Sequence, residues 1–145
     1  MKVMQSHLGK RLNIALAIGL FIILAIIMYV FIWHRSEEIH EPVVLFVTSS
    51  EARVKLNELQ DFFLLDVRTN AEFASRRIPD AVNIPHLMIT QERGLLPSDR
   101  HTPIFVYCRT GVRAATAANT LLELGYTNII VFPGMMTWVY EIVTG

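Results

Sequence analysis

The feature that most restricts the fold of this chain is an uncharged apolar run near its N-terminus. No Asp, Glu, Lys or Arg occurs from Leu12 to Trp33, and Ile, Leu, Ala, Phe and Val dominate. A helix rising about 1.5 Å per residue would extend over roughly 33 Å here, enough to cross a hydrocarbon core of about 30 Å. We therefore predict a transmembrane helix over residues 12–34, which takes this segment out of any globular core.

A cleaved signal peptide is the alternative interpretation of this run, since Lys2, Lys10 and Arg11 would supply its basic region. The run is longer than the roughly 7–15 apolar residues of such a peptide, and no small-residue cleavage pattern follows it. An uncleaved anchor is therefore favoured. The chain then divides into a basic tail (1–11), the transmembrane helix, a linker (35–42) and a domain (43–145).

The net charge of zero hides an asymmetry around the apolar run. Three basic residues and no acid precede the run, whereas every Asp and Glu follows it. Because Lys and Arg next to a span favour the cytoplasmic side, we predict a cytoplasmic N-terminus and an extracytoplasmic domain. In a bacterial cell this describes a single-pass protein of the inner (plasma) membrane, with the lipid bilayer as its partner through residues 12–34.

The domain after the linker alternates short apolar runs with segments of helical pattern. The expected strands are 43–47, 62–67, 81–84, 103–107 and 129–132. A first helix should open at the capping box Thr48-x-x-Glu51, with Val54, Leu56 and Leu59 on or near its apolar face. Further helical segments are expected at 70–74, 85–89 and 111–124, and as a short last helix around Trp138. The alternation predicts an α/β domain with an open, mainly parallel sheet flanked by helices.

The sole cysteine, Cys108, lies where an expected strand passes into an expected helix. At such a junction backbone N–H groups converge, and the helix dipole adds positive charge. A thiol placed there should ionise readily, and Arg109 and Arg113 would favour the thiolate and attract an anionic substrate. Ligands of parallel sheets bind beyond the carboxyl ends of the strands. Cys108 is therefore predicted to be a catalytic nucleophile.

Several further motifs occur with Cys108 in one order and at matching spacing. They are Leu65-Asp66-Val67-Arg68 with Glu72-Phe73, Ile78-Pro79 with Ala81-Val82-Asn83-Ile84-Pro85, Val106 to Arg113, Leu124-Gly125-Tyr126, and Gly134 with Trp138. Together they resemble a single-domain rhodanese, the sulfurtransferase family. The resemblance implies a rhodanese-like fold in which the cysteine takes a sulfane sulfur from a donor such as thiosulfate. The resulting persulfide passes its sulfur to a thiophilic acceptor.

The loop after the nucleophile is expected to bind the donor. Its residues are Arg109, Thr110, Gly111, Val112 and Arg113. Gly111 permits the turn that lets several backbone N–H groups converge. The expected partners are a small anionic sulfur donor and a thiol or cyanide-like acceptor, either a small molecule or a protein, and no nucleic acid is expected.

Asp66 and Arg68 are expected to brace the loop and the sheet, because a charged pair at a strand end usually satisfies neighbouring groups. Glu72 is likewise interpreted as structural. His86 and His101 show no metal-ligand spacing, so neither a metal nor another cofactor is expected.

Three alternative functions compete with sulfur transfer. Certain phosphatases resemble rhodaneses but have one residue more between cysteine and arginine, and Ala114 stands where their arginine would lie, so the shorter loop favours sulfur over phosphate. A non-catalytic rhodanese-like binding module, tethered to the membrane, stays open as the alternative. A thiol redox sensor would need a partner thiol, since the chain has no second cysteine.

The chain departs from the family pattern at a few places. Arg76-Arg77 stands where the family usually has Gly-His, and Asp80 replaces a common glycine. Both changes are expected to alter a surface turn. Pro133 occupies the first position of the usual glycine pair before the expected last helix, and Ala114 lacks a hydroxyl that the family often has after the loop. None of these changes removes the nucleophile.

Overall fold

The computed structural model of the protein describes residue 16 and residues 18–32 and 41–145. The chain divides into two units, Met1–Ile39 and His40–Gly145. In the first unit, residues 18–32 are helical and most of their apolar side chains are exposed. No helix within the described residues is both long and apolar enough to cross a membrane. The predicted span 12–34 lies partly outside the described residues; the tail 1–11 and most of the linker lie wholly outside them.

The second unit is built on a parallel sheet. Its strands, in spatial order, are β1 (Val43–Phe46), β6 (Asn128–Phe132), β5 (Ile104–Tyr107), β2 (Phe63–Asp66) and β4 (Val82–Asn83). Each neighbouring pair is parallel, with β5 at the centre. Beside this sheet, β3 (Arg76–Arg77) and β7 (Val143–Thr144) form a separate antiparallel pair. The expected mainly parallel sheet is confirmed.

Three α-helices follow strands of the parallel sheet in the described part of this unit. They are α1 (Ser49–Glu58), α2 (Asn70–Ser75) and α3 (Val112–Glu123), and a single 3-10 turn covers Arg93–Leu95. The expected capping box opens α1, since the Thr48 hydroxyl accepts the Glu51 N–H and the Glu51 carboxylate accepts the Thr48 N–H. Gly125, with φ +88°, ends α3 as its position after the helix predicts.

Alternation along the central strand divides the core between the two faces of the sheet. Ile104 and Val106 pack with the alanines of α3 in one buried cluster, whereas Phe105 and Tyr107 belong to the opposite cluster, which contains Ala52 of α1. Successive side chains of a strand point to opposite faces. Cys108 continues the even-numbered set and joins the cluster on the α3 side. The strand register therefore places the thiol beside the start of α3.

Two of the expected helices are absent from the described residues. The segment 85–89 forms successive turns, with the Met88 N–H donating to the Pro85 carbonyl at 2.7 Å, because Ile89 is drawn into the core. The segment around Trp138 makes one turn from Gly134. The chain then extends into β7, and the Trp138 indole N–H donates to the Glu141 carbonyl at 3.1 Å.

The apolar face of α1 also differs from the prediction. Val54 is 54% exposed and Leu59 is also exposed, whereas Ser49 and Ala52 are buried and Leu56 packs against the core. These inner positions follow the spacing of three to four residues that one helical face requires. The prediction rested on the large apolar side chains and missed Ser49 and Ala52, whose small size permits a close approach to the sheet.

Candidate active site

The thiol of Cys108 lies between the carboxyl end of β5 and the first turn of α3. Cys108 is 1% exposed, and the Gly111 N–H donates to its Sγ at 3.1 Å. Gly111 caps the helix with φ +96°, a conformation that glycine adopts without strain. The sharp turn at this residue directs its N–H back toward the sulfur. The sulfur thus sits at the positive end of a twelve-residue helix.

Two backbone hydrogen bonds join this loop to the segment after β6. The Met135 N–H donates to the Cys108 carbonyl at 3.1 Å, and the Met136 N–H donates to the Arg109 carbonyl at 3.0 Å. Gly134 makes this approach possible, because a Cβ added to it would lie 2.6 Å from the Cys108 carbonyl oxygen. The sequence motifs included Gly134 without revealing this contact. In the sequence, the signal for this contact is a glycine that follows Pro133 at the end of an expected strand.

Arg113 is held beside the thiol by Glu72 of α2. The two Arg113 terminal nitrogens donate to the two carboxylate oxygens at 2.7 and 2.9 Å. The hydrogen bond from Arg113 is the main reason that the pKa of Glu72 falls from 4.5 to about 2. The same bond raises the pKa of Arg113, and the nearby Cys108 adds a smaller effect in the same direction.

The sequence predicts a structural role for Glu72, and the structure shows two specific sets of contacts behind that role. It also completes a capping box, since its carboxylate accepts the Thr69 N–H at 3.1 Å and its own N–H donates to the Thr69 hydroxyl. One side chain therefore fixes the start of α2 and orients Arg113. The spacing Thr69-x-x-Glu72 was available in the sequence as a signal for the cap.

Asp66 and Arg68 form a buried ion pair at the carboxyl end of β2, next to β5. The Arg68 guanidinium donates to both Asp66 carboxylate oxygens and, at 2.7 Å, to the Arg76 carbonyl. Asn83 ties the same turn to β4, because its amide donates to the carbonyls of Asp66 and Arg68. All of these contacts are internal, and they join the end of β2 to β3 and β4.

Two pockets flank the cysteine loop. A pocket of about 520 Å³ is largely apolar, and its lining includes Phe46, Val47, Thr110, Val112, Ala115 and Pro133. A second pocket of about 400 Å³ is lined mainly by charged and polar residues and is called the polar pocket; its lining is Arg68, Ala71, Glu72, Ser75, Arg76, Arg109 and Met135. No cluster of His, Cys, Asp and Glu suited to a metal ion occurs among the residues that the structure describes.

The predicted site residues thus fall into separate groups. Cys108, Gly111 and Arg113 are brought together at the thiol. Arg109 lines the polar pocket, and Thr110 and Val112 line the apolar one. Of the Asp66–Arg68 pair, only Arg68 lines the polar pocket.

The protein has a parallel sheet flanked by helices, with a cysteine loop between the central strand and a helix. Comparison with known proteins leads to a family of this fold class. The family model for the rhodanese-like domain matches residues 48–141. The chain therefore belongs to the rhodanese-like domain family.

Similar proteins include several that are named for sulfur chemistry. A sulfurtransferase of Allochromatium vinosum is 32% identical over 93 residues, covering 63% of this chain and 85% of that protein. The putative sulfurtransferase YtwF of Bacillus subtilis is 30% identical over 92 residues, covering 63% and 87%. The crystal structure of a rhodanese-like domain protein from Staphylococcus aureus is 28% identical with a TM-score of 0.59, covering 70% of this chain and 98% of that one.

Proposed function

We propose that the protein is a sulfurtransferase in which Cys108 carries the sulfur as a persulfide. The observation that carries this proposal is the position of Sγ, which accepts the Gly111 N–H at 3.1 Å at the start of α3, with Arg113 alongside. A thiolate is the nucleophilic form of cysteine, and both the helix end and the guanidinium favour a negative charge. The sulfurtransferase relatives support the same chemistry.

The first half of the reaction loads the cysteine. The Cys108 thiolate attacks the outer sulfur of thiosulfate, forming a new S–S bond. The S–S bond of the donor breaks, and sulfite leaves with its electron pair. The product is an anionic persulfide, whose terminal sulfur carries the charge. The Gly111 N–H, which already donates to Sγ, and Arg113 would stabilise that charge.

The second half returns the enzyme to its starting state. An acceptor thiolate or cyanide attacks the terminal sulfur of the persulfide. The acceptor gains that sulfur, as a new persulfide or as thiocyanate, and the electron pair of the broken S–S bond returns to Cys108 as its thiolate. No external oxidant or reductant is consumed.

Thiocyanate formation from thiosulfate and cyanide tests this function. The wild-type chain is expected to turn over, and Cys108→Ser is expected to fall to the uncatalysed background while keeping the wild-type circular dichroism spectrum. A Cys108→Ser chain that still formed thiocyanate would contradict the proposed nucleophile. A folded wild-type chain that transferred no sulfur from thiosulfate would favour the non-catalytic binding module.

We also propose that residues 12–34 anchor this domain to a membrane, with the domain on the extracytoplasmic side. The support is the uncharged run from Leu12 to Trp33 and the basic residues before it. The full chain should stay with the membranes through an alkaline wash, and deletion of residues 12–34 should release it. Unchanged retention would contradict the anchor.

The side of the membrane can be tested with a cysteine at an exposed position. Val139 is 83% exposed, so Val139→Cys in a Cys108→Ser chain presents one accessible thiol. A membrane-impermeant maleimide should label this chain in intact cells as fully as after lysis. Labelling only after lysis would place the domain in the cytoplasm.

A further inference from the structure

The edge strand β1 has one side that no other strand of the described residues occupies. It stands first in the spatial order of the parallel sheet and pairs with β6. The N–H groups of Val43 and Val47 donate to carbonyls in or next to β6, at 2.7 and 2.9 Å. The backbone groups of successive residues in a strand point in alternate directions. The N–H and C=O groups of Val44 and Phe46 therefore face the open edge.

The neighbouring residues limit this open edge at both ends. Pro42 precedes β1 and has no N–H to donate. After β1, the Thr48 N–H already donates to the Glu51 carboxylate at 2.8 Å. The edge therefore offers the N–H groups of Val44 and Phe46, each together with the carbonyl of the same residue.

The side chains of β1 are apolar and largely uncovered. Val43, Leu45 and Phe46 are exposed, and Phe46 is 65% exposed because it lies on the wall of the apolar pocket between β1 and α3. Proteins usually guard an edge strand with charged residues or a proline within it, and β1 contains neither. An apolar edge with open backbone groups is typical of a surface that pairs with another strand.

The charges beside this edge balance. β1 itself is uncharged, and the neighbouring pocket that contains Val43 and Leu45 is also lined by Lys55 and Glu58 of α1. Neither of these two side chains forms an ion pair within residues 41–145. A surface with charge of one sign would repel a copy of itself, whereas this one does not. The edge therefore suits a second copy of the same chain.

We infer that β1 pairs antiparallel with β1 of a second copy, about a two-fold axis at Leu45. In this register Val44 of each copy lies opposite Phe46 of the other, and their open groups form four backbone hydrogen bonds. A register centred on Val44 would need the N–H that Pro42 lacks. A register centred on Phe46 would need the Thr48 N–H, which is already used.

The same register also matches the side chains. Val44 and Phe46 lie on one face of the strand, so each meets the other across the two-fold axis, and Leu45 meets its own copy on the opposite face. Apolar cross-strand pairs of this kind stabilise antiparallel sheets. The inference is independent of the proposed sulfur transfer, because no part of it involves Cys108.

A single cysteine at the two-fold axis tests the register. In the full chain carrying Cys108→Ser, purified in a mild detergent, Leu45→Cys provides the sole thiol. Residues opposite each other in a pair without mutual hydrogen bonds have Cα atoms about 4.5 Å apart, and a disulfide spans about 4.4–6.8 Å. Mild oxidation should therefore convert Leu45→Cys into a covalent dimer.

Leu87 provides the matched control for this experiment. It is 74% exposed and follows β4, at the opposite edge of the sheet. Leu87→Cys therefore reports dimers that form by random collision of accessible thiols. Leu45→Cys should cross-link at least about tenfold faster than Leu87→Cys, because paired thiols react at a high effective concentration.

A charge on the edge tests the dimer without a cross-link. Phe46→Lys removes an apolar contact and places a charge on the paired strand, so the dissociation constant from sedimentation equilibrium should rise at least about tenfold. Leu87→Lys adds the same charge elsewhere and should change this constant by less than about twofold. Phe46 is exposed in the single copy, so the circular dichroism spectrum should stay that of the wild type.

Four results would overturn the inference. They are equal cross-linking of Leu45→Cys and Leu87→Cys, a wild-type chain that stays monomeric, a dimer that Phe46→Lys does not weaken, and a monomeric Leu45→Cys whose thiol is shielded from maleimide. In the last case the edge has another occupant. Shielding only with phosphatidylglycerol vesicles would assign the edge to the lipid surface, and shielding without them would assign it to another segment of the same chain.

Discussion

Gly134 offers the sharpest test of how the cysteine loop is held in place. Its φ of +72° lies in the left-handed region, and a Cβ at this position would lie 2.6 Å from the Cys108 carbonyl oxygen and 2.6 Å from Cδ2 of Tyr107. Both contacts are too close to persist without movement. Gly134→Ala should therefore push the segment after β6 away from the cysteine loop and weaken the Met135 hydrogen bond to Cys108.

The cost of this substitution has two parts. A left-handed conformation costs a residue with a Cβ about 1–2 kcal/mol. Forcing an extra methyl group into a packed region adds about 1–3 kcal/mol. Tyr107 is buried and the other contact is backbone, so neither can relieve the clash by a simple side-chain rotation. We expect Gly134→Ala to lower the free energy of unfolding by about 2–5 kcal/mol.

Gly125 separates the two parts of that cost. Its φ is +88°, but a Cβ added there would meet nothing within 4 Å. Gly125→Ala should therefore lower the free energy of unfolding by only the conformational part, about 1–2 kcal/mol. Urea unfolding followed by circular dichroism measures both variants, and the rate of Cys108 loading from thiosulfate should fall only in Gly134→Ala. Equal destabilisation of the two variants, or unchanged loading in Gly134→Ala, would refute the proposed role of the close approach.

Two ion pairs give further predictions. Glu72→Gln should destabilise the fold by about 1–2 kcal/mol, less than the full pKa shift implies because both partners are partly exposed, and it should slow Cys108 loading by freeing Arg113. Because the pKa of Glu72 is lowered to about 2, this pair contributes fully above about pH 4.5 and loses its contribution as the pH falls toward about 2. Acid titration of unfolding should show this loss in the wild type and not in Glu72→Gln; parallel curves would contradict it. Arg68→Met leaves the Asp66 carboxylate buried without its partner and should lower the free energy of unfolding, measured in urea, by about 3–5 kcal/mol. A loss below about 1 kcal/mol would contradict a bracing role for this pair.

The parallel sheet could be predicted because its signals are local. The strands around Leu65, Val106 and Val131 are continuous apolar runs, as strands buried on both faces require. A capping box opens α1, and Gly125 ends α3. The place of Cys108 at the strand-to-helix junction follows from those same runs.

The parts that could not be predicted depend on contacts between distant residues. The ladder of Arg76–Arg77 with Val143–Thr144 joins segments far apart in the chain, and two arginines in sequence carry no strand signal. The same pairing draws the chain after Trp138 into an extended form in place of the expected helix. Glu72 and Arg113 are 41 positions apart, so only the folded sheet brings them together.

The polar pocket is a second consequence of that unpredicted ladder. The Arg76-Arg77 departure from the family pattern was expected to alter a surface turn. In the structure β3 places Arg76 in the lining of the pocket that Arg109 shares. A position that looks peripheral in the sequence therefore lines the same pocket as a residue of the cysteine loop.

The mass of the chain after brief incubation with thiosulfate tests the central claim most directly. Transfer of one sulfur atom adds about 32 Da, and fragmentation assigns the added mass to a residue. The account predicts this addition on Cys108 in the wild type, its removal by cyanide, and no addition in Cys108→Ser. A wild-type chain that gains no mass, or a Cys108→Ser chain that gains the same mass, would contradict it.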